Sequence, residues 1–140
     1  LDQKKEKENE RREKYAKELG DRENFIKEKW KESQKRYNTY SEIAMLANYK
    51  LESGLKAPFD FEDMYSEEEK QYRNSVRNEV NKCETKEQLK GLGNLEEALY
   101  NESYQDYENK LLILEKDKKK EKERNEEFDR EWERAYDNRI

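Results

Sequence analysis

The side chains that ordinarily carry chemistry are scarce in this chain. It has 140 residues and no histidine. Acid–base groups that titrate near neutral pH, Ser-His-Asp and Cys-His arrangements, and most transition-metal sites therefore lack their commonest member. The one cysteine, Cys83, has no second thiol for an intrachain disulfide or a thiolate metal cluster. In its Lys/Glu-rich surroundings it reads as a small apolar filler. Gly91-Leu92-Gly93 comes nearest to a phosphate-cradling glycine loop, but no strand precedes it and no Lys-Ser/Thr follows, so it reads as a turn between helices. Carboxylates number 36, yet nothing singles out one pair as acid and base, and no pocket is implied around any of them. The expectation is a non-enzymatic protein with no catalytic residue, cofactor, metal or small-molecule substrate.

Aromatic surface on a charged background is plentiful. Charged residues make up 48% of the chain and hydrophobic ones 31%, with ten Tyr, two Trp and a net charge of −5. Leu, Ile, Val and Phe are too sparse for a compact α/β enzyme or a β-sandwich. The near-cancellation of charge and the aromatic content favour a folded chain over a disordered one. The longest aliphatic run, Leu111–Leu114, is far too short to span a membrane. Residues 1–53 hold 14 basic and 12 acidic side chains, residues 54–93 hold 7 and 9, and residues 94–140 hold 10 and 15. Lys116, Lys118, Lys119, Lys120, Lys122 and Arg124 form a basic run, but Asp117, Glu121 and Glu123 interrupt it. That reads as a solvated helical face rather than a phosphate-tracking one, and no nucleic acid is expected. Residues 2–14 alternate charge without an apolar core, unlike a signal peptide, and the start at Leu1 reads as a fragment or a processed terminus. An intracellular, cytoplasmic setting is expected.

The elements follow from spacing. A long helix is predicted from about Lys4 to Leu51, with Leu19, Ile26, Trp30, Tyr37, Tyr40, Ala44, Ala47 and Leu51 on a seam of alternating four- and three-residue steps. Glu8–Arg12 and Glu23–Lys27 are among the pairs four apart that support its exposed face, at roughly 0.2–0.5 kcal/mol each. Gly54 is expected to cap that helix and Pro58 to keep the connection extended. Phe59, Phe61, Met64 and Tyr65 form an aromatic loop anchored on the stripe around Ile43 and Leu46. Ser66 and Glu69 make a capping box for a short helix carrying Tyr72, Val76, Val80 and Cys83. Thr85 and Gln88 make a second box, opening a short turn that Gly91 and Gly93 are expected to break. Asn94 and Glu97 then start the last long helix, whose seam runs Tyr100, Tyr104, Tyr107, Leu111 and Leu114. It lapses over Glu115–Glu127 and recovers at Phe128 and Trp132.

The predicted fold is all-α: two long antiparallel helices in a helical hairpin, coiled-coil-like, with a small central unit of short helices and the aromatic loop. The divisions are 1–53, 54–93 and 94–140 within one elongated unit. A turn near Ser53 and Asn94 places Trp132 opposite Tyr15 and leaves Trp30 facing the polar Glu115–Glu127 stretch. Another chain is then needed to cover Trp30, unless the helix around Tyr72, Val76 and Val80 folds over that seam. The expected function is that of a structural or adaptor protein, a helical scaffold that binds partner proteins or forms a homo-oligomer. Trp30, Tyr37, Tyr40, Phe59, Phe61, Phe128 and Trp132 are the candidate partner-binding residues. The alternative is a small acidic helical inhibitor that blocks an enzyme or a nucleic-acid-binding surface.

Overall fold

The computed structural model describes residues 2–53 and 64–138. Among them the chain is all-helical, with 94% of residues in three helices and no strand. The helices are α1 (Asp2–Ser53), α2 (Glu67–Asn81) and α3 (Lys86–Asp137). Phe59 and Phe61, with Gly54 and Pro58, lie outside the described residues.

Each start has a local cause. At α2, the Ser66 hydroxyl accepts from the Glu69 amide at 3.3 Å, satisfying one of the four donors a helix leaves open at its N-terminus. At α3 the capping is reciprocal. The Thr85 hydroxyl accepts from the Gln88 amide at 3.2 Å, while the Gln88 side-chain oxygen accepts from the amides of Glu84 (2.7 Å) and Thr85 (3.3 Å). This box opens the long helix itself, so α3 begins at Lys86 and not at Asn94. It runs unbroken through Gly91, Gly93 and Asn94. A glycine costs about 1 kcal/mol in a helix interior, and the helix continues through both, with Leu89 and Leu92 beside them packed into the core.

The chain packs as two compact units. The second unit comprises residues 30–105. Its core is Tyr40 and Ile43 of α1, Val76 and Val80 of α2, and Leu89 of α3, with Ala44, Ala47, Leu51, Tyr72, Cys83 and Leu92 packed around them. Val76 and Val80 are fully enclosed. The short helix therefore does fold over the α1 seam, and Cys83 is a partly buried filler beside it.

The first unit pairs α1 residues up to Lys29 with α3 residues from Asp106. Leu19, Ile26 and Leu114 are buried together, and Tyr15, Tyr107 and Leu111 pack against them. Ion pairs then take over: Arg22 with Asp117 (2.9 Å), Glu23 with Lys118 (3.1 Å), Arg11 with Glu121 (2.8 Å) and Lys5 with Asp129 (3.4 Å). Partner numbers fall along α3 as they rise along α1. Phe128 and Trp132 lie beside Lys5 and Arg12 rather than in a cluster with Tyr15 and Leu19. The expected register was displaced because α3 begins about two helical turns earlier than Asn94.

Candidate protein-interaction site

The second unit gathers three of the predicted aromatics. The Trp30 ring centroid lies 5.2 Å from that of Tyr100 and 5.3 Å from that of Tyr104. Tyr37 lies 4.6 Å from Tyr100 and 6.4 Å from Tyr40. These are tilted aromatic contacts at productive separations. Tyr40 points into the core and is buried. Trp30 therefore meets tyrosines of its own chain, and the register argument for a second chain at Trp30 falls away.

Beside this group lies an open groove of about 770 Å³, lined among others by Tyr37, Tyr72, Leu92, Leu95, Leu99 and Tyr100. Leu95 and Leu99, one helical turn apart on α3, remain 57% and 50% exposed. Charge borders the groove. The Arg36 guanidinium joins Glu79 to the buried Glu96, reaching Glu96 at 2.7 Å, and the Glu96 contact chiefly holds Arg36 more firmly protonated than usual. Lys35 pairs with Glu69 at 2.8 Å and lies 4.3 Å from the Tyr72 ring centroid. Burial pushes the Tyr72 phenol up from its ordinary value. Every charge named on this border has a partner, so the unsatisfied part of the groove is its apolar floor.

The first unit holds the other described candidates. Phe128 and Trp132 stack at 6.4 Å and 13°. Lys5 lies 5.5 Å from the Phe128 ring and 5.7 Å from the Trp132 ring, and the Arg12 guanidinium lies 5.4 Å from the Phe128 ring, an arrangement favoured by the ring quadrupole. Next along α1, the buried Glu8 accepts from Arg124 at 2.7 Å, Arg12 at 3.1 Å and Arg11 at 3.2 Å. The Arg124 contact, followed by those of Arg11 and Arg12, outweighs burial and holds the Glu8 carboxyl down at about 2. Arg12 also reaches Asp129 at 2.9 Å and keeps that carboxylate below its ordinary range. This is a closed network of opposite charges, with no lone carboxylic acid poised for proton transfer. Among the described residues, no group of three or more His, Cys, Asp and Glu could hold a metal ion, and no helix is long and apolar enough to cross a membrane.

Leu95, Leu99 and Phe25 were not nominated from the sequence as site residues. The leucines flank the α3 seam one turn apart, and Phe25 sits one residue off the α1 seam beside Ile26. An apolar pair displaced from a seam that is already complete is the pattern that marks such positions. No family model matches the chain, and no curated protein or solved structure matches it.

Proposed function

We propose that this protein is a non-enzymatic structural or adaptor protein that binds partner proteins, or further copies of itself, through apolar surface displayed on its helices. The observation that carries this reading is the half-exposed pair Leu95 and Leu99 in the groove beside Tyr37, Tyr72 and Tyr100. An amphipathic partner helix laid into such a groove inserts anchors one turn apart. In this reading α1 and α3 act as a coiled-coil-like antiparallel hairpin, supported in each unit by partner numbers that fall on α3 as they rise on α1. Trp30 and Tyr40 contact the groove-lining rings of Tyr100 and Tyr37, and Tyr37 contributes to the groove wall. The acidic-inhibitor alternative calls for a continuous negative face. The mixed-sign pairing of Arg22 with Asp117 and Lys118 with Glu23 favours the adaptor.

Sedimentation and affinity capture from the source cell test the proposal, comparing the wild-type chain with L95E/L99E. Loss of self-association or of specific partners in the variant, at unchanged helicity, supports it. A wild-type chain that stays monomeric and captures the same proteins as the variant overturns it.

A further inference from the structure

We propose that the first unit carries a second interaction surface, which binds an acidic peptide segment anchored by one apolar side chain. The inference takes from the adaptor reading only that the partner is a protein, and it uses none of the groove residues.

The surface begins at an apolar slot of about 260 Å³ lined by Arg22, Phe25, Ile26, Lys110 and Ile113. Ile26 is buried and forms its floor, while Phe25 and Ile113 are 56% and 53% exposed at its sides. Leu112, next along α3, is 56% exposed. Large apolar side chains on both helices around one slot constitute a patch rather than scattered surface residues.

Charge continues from the slot along α3. At about 100° per residue, Leu112, Ile113, Lys116, Lys119, Lys120 and Glu123 share one solvent-facing side, and all six are exposed. The neighbouring ions are engaged elsewhere. Lys118 pairs with Glu23, Asp117 with Arg22, and Glu121 with Arg11. Lys116, Lys119 and Lys120 form no ion pair among the described residues. Asp117 and Glu121, which appear in sequence to neutralise the run, are thus drawn toward α1, while three ammonium groups remain on the outer face. Lys110 at the slot keeps its own partner, Asp106, at 2.9 Å. Glu123 lies at the end of the row away from the slot, so this side keeps three cations against one anion. On a chain of net charge −5, that local excess beside an apolar slot complements an acidic segment with one apolar anchor. A membrane surface fits less well, because the apolar part is confined to one end of the row instead of running along the helix. Nucleic acid fits less well too, since a short row of three lysines beside an apolar slot does not track a phosphate backbone.

The test is fluorescence anisotropy on the full chain, with a labelled, Glu-rich synthetic peptide of about four helical turns carrying one central Phe. Binding is expected at low salt and should weaken as salt rises. It should fall by about tenfold or more when the peptide Phe becomes Ala, or in Phe25→Ala. K116Q/K119Q/K120Q should weaken binding by a similar factor and flatten its salt dependence. All the substituted residues are exposed, and circular dichroism checks that helicity is retained. Equal binding of a peptide with Gln in place of Glu, or variants that bind like the wild type, overturns the proposal. So does preferential binding to phosphatidylserine vesicles or single-stranded DNA, which assigns the surface to lipid or nucleic acid instead. Leu99→Glu should leave peptide affinity unchanged. If it abolishes affinity, the peptide occupies the groove, and this surface is wrong while the adaptor reading stands.

Discussion

The hydroxyl of Tyr40 lies 3.0 Å from the position a Cβ would occupy on Gly93. Tyr40 comes from α1 and Gly93 from α3, so the missing side chain lets a buried phenol seat against a helix backbone. Gly20 and Gly91, by contrast, have nothing within 4 Å of that position. Gly20→Ala and Gly91→Ala should each stabilise the protein by about 0.5–1 kcal/mol, the helix-propensity gain. Gly93→Ala should gain less or lose stability, and Tyr40→Phe should restore the gain. Urea denaturation of the four variants measures this, and equal gains at all three glycines would show that the close approach has no energetic weight.

The start of α3 is open to a test of sign. Thr85 caps the helix, so Thr85→Ala should cost about 1 kcal/mol. Asn94 is exposed in the helix interior, so Asn94→Ala should be neutral or stabilising by a few tenths of a kcal/mol. A cost at Asn94 with none at Thr85 would restore the later start.

Glu8 makes stability depend on acid. Its carboxyl, held at about 2 against an ordinary 4.5 by Arg124, Arg11 and Arg12, binds its proton less readily when folded than when unfolded. The resulting stabilisation is complete above about pH 4.5 and is lost as pH falls toward 2. Glu8→Gln should destabilise the chain by about 1–3 kcal/mol at pH 7 and remove that part of the acid loss. Chemical denaturation at pH 7 and pH 3 checks it, and a wild-type-to-variant difference that is the same at both would remove the linkage.

Trp30 and Tyr100 should be energetically coupled. Their contact at 5.2 Å is of the kind worth about 0.5–1.5 kcal/mol beyond burial. A double-mutant cycle with Trp30→Phe and Tyr100→Leu should return a coupling in that range. Purely additive losses would mean the rings are neighbours without interaction.

The helices and caps were legible in the residues because their causes are local. Ser66 with Glu69 and Thr85 with Gln88 are read from a spacing of three, and the seam through Leu19, Ile26 and Tyr40 from alternating steps of four and three. Glu8–Arg12 and Glu23–Lys27 were likewise readable within one helix, and both form. What followed the second capping box was misread. Gly91 and Gly93 break a helix by propensity alone, but Gly93 is also where Tyr40 must fit. A residue's own preference does not disclose what packs against it.

Composition and periodicity alone determined that this chain is helical, that its core is thin, and that aromatic side chains supply much of its contact surface. These follow from local sterics and from the scarcity of aliphatic residues. Only the tertiary structure decided which seams meet. It closed α2 over Tyr40 and Ile43, turned Trp30 toward Tyr100, and tied the Glu115–Glu127 stretch to α1 through Arg22–Asp117, Glu23–Lys118 and Arg11–Glu121. A charged stretch carries no hydrophobic period, so its partners are set by geometry and charge across two helices, far apart along the chain. The same pairing left Lys116, Lys119 and Lys120 on the outside, where the sequence showed only a basic run interrupted by acids that reads as a solvated face.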